Sequence, residues 1–286
     1  IDAYRHPNVQ VSQRALVGIT FILHAYSPRI SFYPEINLRI TALMEETAFE
    51  RDLLRIHIQI LLSQETEKID KKMREEIIPE MLKSMSPMRN MKFGFEESDE
   101  EKDDTNPDWA DAIEKSGLGD KLREMNELQL EGADVYMSTF SQLKSYPFFR
   151  DISNWFYPFD KQQSDVIKEF RHRGKEGGSL LEIILQSGFF CNSDKYSLFF
   201  TMQQLPQSQR DMMLNQLTDQ QIEELADQSK AETLKKFSER PDTVSNQYLH
   251  DLYRFFKLYA RRLEFRDLFK ESICLYNEPD LIDILF

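Results

Sequence analysis

Apolar residues recur every three or four positions along much of the chain, which is the period of one face of an α-helix. Residues 9–26 carry such a face, Ser27-Pro28 predicts its end, and Pro34 predicts the start of a second helix. The face of the first helix consists of Ala15, Ile19, Ile22 and Tyr26, with Leu16 and Leu23 beside it. The second helix repeats the pattern at Ile36, Ile40, Leu43 and Met44. The sequence thus predicts a helical hairpin.

A third helix is predicted with apolar stripes on two opposite sides, so we expect it to lie between neighbouring elements. The stripes are Phe49, Leu53, Ile56 and Ile60 on one side, and Leu54, Ile58 and Leu61 on the other. Residues 55–60 also alternate with the period of a strand, but no turn residue bounds them, so we assign them to the helix. A fourth helix is predicted over Gln64 to Leu82, with Pro79 kinking or ending it.

The chain divides by pattern into three parts. Residues 1–84 form two hairpins of roughly forty residues each, the period of stacked HEAT-like repeats. Residues 85–106 lack an apolar period and are rich in acids, which predicts a linker or long loop. Residues 107–286 are expected to form a second all-helical domain that runs on into further repeats.

The second domain is expected to contain many helices. A long one is predicted from Asp120 to Lys144, and Pro107 and Gly117 bound a shorter one before it. The others lie near residues 162–172, 179–187, 193–204, 207–217, 219–237, 244–259 and 264–274. Since no segment has a convincing strand pattern, the predicted class is all-α, an α-solenoid-like array of helical hairpins similar to HEAT or tetratricopeptide repeats, without significant sheet.

Residues 145–159 form the most aromatic segment, with seven aromatic side chains in fifteen positions against 12% for the whole chain. Pro147 and Pro158 bracket it and remove backbone donors, which favours an ordered connection over a regular helix. So much apolar area must be covered, either by helices of this chain or by another protein.

Both possibilities are open. The favoured one is that the segment forms a structural junction between the long helix and the helices that follow it, because large aromatic side chains dominate cores. Four residues are expected to be buried there, namely Phe148, Phe149, Trp155 and Phe156. Three others are candidates to face a protein partner, namely Tyr146, Tyr157 and Phe159. A second set at helical spacing is expected in the core, namely Tyr248, Tyr253, Phe255, Phe256 and Tyr259.

The net charge of −13 argues against nucleic acid or an anionic membrane surface as a partner, because both require clustered Lys and Arg. Residues 96–108 alone carry a net charge of −7. The sequence contains no run of eighteen apolar residues, so no membrane span is predicted. The two cysteines, Cys191 and Cys274, cannot build a disulfide framework, so we expect a cytoplasmic location. The chain starts without Met and stops in a helix-like segment, which indicates a fragment.

The chemical motifs are incomplete. Glu169 and His172 have the Glu-x-x-His spacing of a di-iron ligand pair. A di-iron site needs a second such pair and two more Glu residues, and these are not recognisable in the sequence. The glycine-containing loop 171–179 lacks the spacing of a phosphate-binding loop, and residues 104–108 form only half a calcium loop. Cys191 precedes a helix start, where a thiol pKa can fall, although a buried structural role is favoured. The sequence therefore predicts no catalytic, cofactor-binding or metal-binding residues.

Three segments together resemble a known family. They are residues 138–156, Cys191-Asn-Ser-Asp-Lys-Tyr196, and residues 245–259. They are similar to the N-terminal helical region of large, uncharacterised bacterial tetratricopeptide-repeat proteins, and the resemblance covers most of the chain. It implies that repeats follow this region, and it brings no catalytic residues. The Trp-x2-Leu-Gly-x2-Tyr unit of a true repeat is not recognisable within residues 1–286.

These observations favour a non-enzymatic helical-repeat scaffold that mediates protein–protein interaction, because repeat arrays present long binding surfaces. The partner is not identified by the sequence. One alternative is a structural spacer that positions flanking domains. Another is an enzyme whose catalytic groups come from distant helices and leave no local motif.

Overall fold

A computed structural model describes residues 1–77, 79, 124, 127–128, 133–160, 188, 190–204, 206 and 236–270. These residues form α-helices joined by short 3-10 turns and contain no strand, which confirms the all-α prediction. Several predictions lie outside this part of the chain: the linker over 85–106, the helix over 107–117, and the helices near 162–172, 179–187 and 207–217. All but the last two residues of the helix predicted over 219–237 lie outside it too.

The helices are numbered in chain order. They are α1 Val9–Ile30, α2 Pro34–Met44, α3 Thr47–Gln64, α4 Thr66–Lys72, α5 Met137–Phe140, α6 Asn192–Gln204 and α7 Pro241–Leu258. The 3-10 turns are Asp2–Arg5, Ser141–Ser145, Pro147–Arg150, Ser153–Trp155, Arg262–Glu264 and Leu268–Lys270, and Met73–Ile77 forms a π-helical turn. The last two 3-10 turns occupy part of the predicted helix 264–274. That prediction is therefore wrong for its described part, where residues 265–267 are not helical.

Helix α1 starts at a side-chain cap, where Asn8 Oδ1 accepts a hydrogen bond from the Gln10 amide at 2.8 Å. It continues through Pro28 to Ile30, so the predicted end at Ser27-Pro28 is wrong. Pro28 is exposed and lies in the last turn of α1, close to the point where the helix ends. Helix α2 begins at Pro34, as predicted.

The buried face of α1 differs from the predicted one. Leu16, Ile19 and Leu23 are buried, whereas Ile22 and Tyr26 are about half exposed. The predicted face therefore holds at Ile19 and is wrong at Ile22 and Tyr26. Apolar residues at helical spacing occur on more than one side of α1, and the period alone does not show which side meets the core.

In helix α3, too, the apolar period alone does not show which side meets the core. Its first stripe, from Phe49 to Ile60, is fully buried, as predicted, and residues 55–60 are helical. In the second stripe Ile58 and Leu61 are exposed, so the expectation that α3 lies between two neighbours is wrong.

The chain forms two compact units, one of residues 1–63 with 140–286 and the other of residues 64–139. The boundaries predicted at residues 84 and 106 lie outside the described part. In the first unit α1 packs most extensively against α7, and the two helices share a core with α3 and Phe269. Because α1 and α7 are more than 200 residues apart in sequence, this pairing is a long-range one.

The second unit is built around α4 and the π-helical turn, where Ile69, Ile77, Ala133 and Val135 form a small core. The helix predicted over Gln64 to Leu82 is present as α4 with this turn, and its last residues are not described.

The long helix predicted from Asp120 to Lys144 is wrong, because residues 133–136 are not helical and residues 141–145 form a 3-10 turn. Asp134 Oδ1 accepts a hydrogen bond from the Tyr136 amide at 3.1 Å, which gives the backbone a local alternative to the helix.

Candidate functional site

The aromatic segment 145–159 is an ordered connection rather than a helix, as the sequence predicts. Pro147 opens one of its two 3-10 turns, and Asp151 separates them. The Asp151 carboxylate accepts hydrogen bonds from the amide and hydroxyl of Ser153, at 2.9 and 2.8 Å. Those bonds lower the pKa of Asp151. The local side-chain bonds thus fix the path of the chain without a regular helix.

The structure confirms the predicted burial of the aromatic segment. Phe148 and Phe149 are buried, Trp155 is only 1% exposed, and Phe156 is half-buried. Trp155 Nε1 donates a hydrogen bond to the Phe149 carbonyl at 2.8 Å, which satisfies its buried polar group. The segment packs on aromatic residues of α6 and α7, namely Tyr196, Phe199, Phe255 and Tyr259. Helices of this chain therefore cover these residues, as the favoured interpretation predicts, although the long helix expected on the other side of the junction is not present.

Residues at the end of α7 also behave as predicted. Tyr253, Phe255 and Tyr259 are buried, and Tyr248 and Phe256 are half-buried against the core.

The three candidate partner-facing residues occupy different surroundings. Tyr157 is 52% exposed. Tyr146 is half-buried, with its hydroxyl hydrogen-bonded to Thr201 at 3.0 Å. Phe159 is half-buried too, with its ring 5.0 Å from that of Tyr196. Only Tyr157 therefore projects substantially into solvent, while Tyr146 and Phe159 can offer part of their surface.

A groove of about 560 Å³ lies between the aromatic segment and the C-terminal end of α6. Its apolar lining comes from Tyr146, Pro147, Phe148 and Phe200, and its polar lining from Arg150, Asp151, Asn154, Gln203 and Gln204. We call it the aromatic groove. A second groove, of about 350 Å³, also has Tyr146 and Arg150 in its lining, together with Lys144, Trp155 and residues at the end of α7. Tyr146 and Arg150 therefore border both grooves.

Behind these grooves lies a buried ion pair. Arg254 of α7 donates to both carboxylate oxygens of Asp194 in α6, from Nε at 2.8 Å and from Nη2 at 2.6 Å. Lys144 Nζ lies 2.8 Å from the same carboxylate and donates to the Ser193 and Ser197 hydroxyls at 3.0 Å each. Buried charges require such partners, because isolated charges lose their hydration at high cost. This ionic cluster joins the start of the aromatic segment to α6 and α7.

Asp251 of α7 acts as a cap for α6 from outside that helix. Its carboxylate accepts hydrogen bonds from the backbone amides of Asn192 and Ser193 at 3.2 and 2.8 Å, and from the Asn192 side chain at 3.2 Å. The first amides of a helix have no partner within the helix, and a carboxylate also matches its positive end. Asp251 therefore fixes the start of α6 against α7.

Lys195 follows the ionic cluster in the first turn of α6 and is only 5% exposed. Within the described part of the chain its ammonium group makes no hydrogen bond or ion pair. Burial lowers its pKa to about 8, and the negative charge of Asp251 opposes this change only in part. Lys195 is thus the cation whose burial is least compensated among those around Asp194.

Cys191 is buried, as the favoured interpretation of the sequence predicts. Burial raises its pKa well above the usual value, so the alternative of a thiol activated at the helix start is wrong. Its sulfur lies 3.5 Å from the Ser193 hydroxyl.

The sequence analysis missed Lys144, Asp194, Lys195, Asp251 and Arg254. A signal was present in α7, where Asp251 and Arg254 are spaced three apart on the side that also carries Phe255. In α6 the sequence pattern was misleading. Six consecutive polar or aromatic residues, Asn192 to Ser197, are buried, whereas the apolar Leu198 is partly exposed, so polarity does not indicate which residues of this helix lie in the core.

Within the described residues no group of three or more His, Cys, Asp or Glu side chains could hold a metal ion. The motif Glu169-x-x-His172, the loop 171–179 and residues 104–108 lie outside them. No helix in the described ranges has both the length and the apolar character needed to cross a membrane.

Comparison with known proteins gives no relative: no family model, no curated protein and no solved structure matches the chain. The resemblance to tetratricopeptide-repeat proteins stays a prediction.

Proposed function

We propose that this chain is a non-enzymatic, solenoid-like helical scaffold that binds a protein partner through the surface around the aromatic segment. The observation that carries the proposal is the aromatic groove, in which apolar rings lie beside exposed polar groups. Such a combination is typical of protein interfaces, where aromatic residues and Arg supply much of the binding energy and polar groups form the rim.

The lining of the groove is held in place before any partner arrives. Phe148 packs against Tyr196 and Phe200 with ring centroids 4.7 and 5.1 Å apart, and the hydroxyl of Tyr146 is bonded to α6. Because these side chains are already ordered, binding costs little of their conformational entropy. A rigid apolar surface of this kind favours a partner that inserts an apolar side chain.

The rim offers contacts of a second kind. Arg150 and Asp151 are both exposed and carry opposite charges, and the Gln204 amide can donate and accept hydrogen bonds. The Asn154 side-chain nitrogen already donates to the Phe148 carbonyl at 2.9 Å, and its oxygen can accept a further bond. Amide groups of this type can pair with a partner's backbone. Tyr157, outside the groove lining, adds an exposed ring with a hydroxyl group, a combination enriched at interfaces.

Binding is favoured over catalysis by the position of the groups with displaced pKa values. Lys195 and Cys191, whose pKa values are displaced by burial, line neither groove. Asp151 lines the aromatic groove, but it is exposed and its pKa is lowered, so its carboxylate is a weak base. A catalytic site requires such groups to meet a substrate in one pocket.

The test is quantitative affinity capture with cross-linking mass spectrometry from the source lysate. The bait is the chain itself, compared with Arg150→Glu and Tyr157→Ser variants. Two controls change exposed residues outside both grooves, Arg51→Glu for the charge and Leu263→Ser for the apolar surface.

We expect a protein enriched by the parent chain and by both controls, and reduced at least about tenfold by Arg150→Glu, which corresponds to the loss of one interface hot spot. Equal capture by all variants would place binding elsewhere. No protein enriched above background would favour the alternative of a structural spacer.

A further inference from the structure

Exposed apolar side chains are concentrated where α1 meets α2. Residues 22–38, which we call the hairpin tip, carry six large apolar residues that are each between 45% and 77% exposed. They are Ile22, Tyr26, Phe32, Tyr33, Ile36 and Leu38. This density is unusual, because soluble monomers rarely expose so many large apolar residues together.

The backbone keeps these residues at one end of the hairpin. The amides of Phe32 and Tyr33 donate to the carbonyls of Arg29 and Ile30 at 3.1 and 2.9 Å, and Pro34 starts α2 immediately afterwards. Ile22 and Tyr26 lie one turn apart on α1, and both are about half exposed. In α2 the buried residue is Leu43, near the far end of the helix, so the start of α2 is exposed.

The exposed apolar area is sufficient for a stable interface. With about 150–250 Å² for each aromatic side chain and somewhat less for Ile and Leu, the six exposed fractions correspond to on the order of 600 Å². A stable protein interface uses about 800 Å² from each partner, including a polar rim. Ile36 and Leu38 are two positions apart in α2 and lie on opposite sides of that helix, so the hairpin tip provides about what one side of a dimer needs when the second copy contacts α2 on both sides.

Local charge makes a second copy of the chain a suitable partner. The chain as a whole carries −13, but the hairpin tip is neutral, with Arg29 against Glu35, and Arg39 just beyond it is paired with Asp2. Two copies of an acidic protein repel each other over most of their surface, and least where acids are not in excess. The hairpin tip lies in such a region.

We infer that the hairpin tip binds the hairpin tip of a second copy, forming a two-fold dimer. In a two-fold interface the same patch serves both subunits, so one self-complementary apolar surface is sufficient. In the dimer, the start of α2 in each copy would cover Phe32, Tyr33 and Leu38 of the other copy. The dimer does not use the aromatic groove, so it can form whether or not that groove binds a partner.

The test is sedimentation velocity combined with light scattering on the purified chain, up to about 50 µM, a concentration that detects interfaces of micromolar affinity. The monomer has a mass of 34.0 kDa, so a dimer has twice that mass, 68.0 kDa. We expect the parent chain to be dimeric, and Phe32→Glu and Leu38→Glu to be monomeric. Leu263→Glu, at a still more exposed apolar site outside the tip, is expected to stay dimeric.

A second measurement uses a Phe32→Cys variant under mild oxidation, with both natural cysteines replaced by Ser. A residue near the two-fold axis meets its own copy, so we expect a disulfide-linked dimer at Phe32→Cys and none at Leu263→Cys. A parent chain that is monomeric throughout the concentration range, even if another protein covers the tip in lysate, would overturn the inference. So would a Phe32→Glu variant that remains dimeric.

Discussion

Arg254 and Asp194 form a two-pronged ion pair in a part of the protein from which solvent is excluded, with side chains only 1% and 0% exposed. Lys144 completes the cluster from the chain that leads into the aromatic segment. The pairing therefore connects three elements that are far apart in sequence. It also holds the rigid side of the surface proposed to bind a partner.

Removing one member of this pair is expected to be costly. An Arg254→Met change leaves the Asp194 carboxylate buried with Lys144 as its remaining cation, and we expect the free energy of unfolding to fall by about 3–5 kcal/mol. Urea unfolding followed by circular dichroism measures the loss. The double variant Asp194→Asn with Arg254→Met should lose less than the sum of the two single changes.

The chain contains a matched control for this prediction. Arg240 and Asp242 form a pair with the same two-pronged geometry, at 3.1 and 2.7 Å, on the surface. We expect Arg240→Met to cost no more than about 1 kcal/mol, because exposed pairs gain little. Similar losses at Arg254 and Arg240 would show that burial does not govern the strength of the Asp194 pair.

Replacing Lys195 is expected to raise the free energy of unfolding, whereas replacing Arg254 is expected to lower it. Below pH 8 its side chain is protonated in both the folded and unfolded protein, and the folded state bears the full cost of a buried charge. Between pH 8 and 10.5 the unfolded state binds more protons, so this cost declines as the pH rises. A Lys195→Met variant keeps the apolar stem and should stabilise the protein at pH 7 by up to roughly 3 kcal/mol.

The measurement is urea unfolding of both proteins at pH 7 and at about pH 10, near the ordinary Lys pKa. The difference in stability between the Lys195→Met variant and the parent should shrink at the higher pH. A variant that is less stable at pH 7, or a difference that does not depend on pH, would show that the lysine is stabilised by its surroundings.

Cys191 is expected to resist thiol reagents. It is buried and its pKa is raised, so the reactive thiolate is scarce and inaccessible in the folded protein. In a Cys274→Ser background, reaction with Ellman's reagent at pH 8 should be at least about 100-fold slower than for the chain unfolded in urea. Rates within a few-fold of each other would mean that the start of α6 opens readily.

Asp251 should matter mainly for the start of α6. Asp251→Ala removes three accepted hydrogen bonds, and we expect a loss of at least about 1–2 kcal/mol, comparable to the loss of a strong helix cap. Asp251→Asn keeps one acceptor oxygen and should lose less. Hydrogen exchange followed by mass spectrometry should show faster exchange at Asn192 and Ser193 in the Ala variant; unchanged exchange there would exclude the capping role.

The sequence predicts well those features that depend on strong local patterns. The buried stripe of α3 and the buried aromatic residues around Trp155 follow from periodicity and size, and the structure confirms both. Local patterns do not show which of two apolar faces meets the core, as Ile22 and Ile58 demonstrate. They also miss the cluster of Lys144, Asp194 and Arg254, because charged residues are ordinarily solvated and their partners are distant in sequence.

The central claim, that a protein partner binds beside the aromatic segment, is tested most directly by site-specific photo-cross-linking. A benzophenone amino acid replaces Arg150, which borders both grooves, or Leu263 as an exposed control, and each protein is irradiated in the source lysate. We predict a discrete covalent adduct with one protein at position 150 and none with that protein at position 263. The same adducts at both positions, or none at position 150, would contradict the claim.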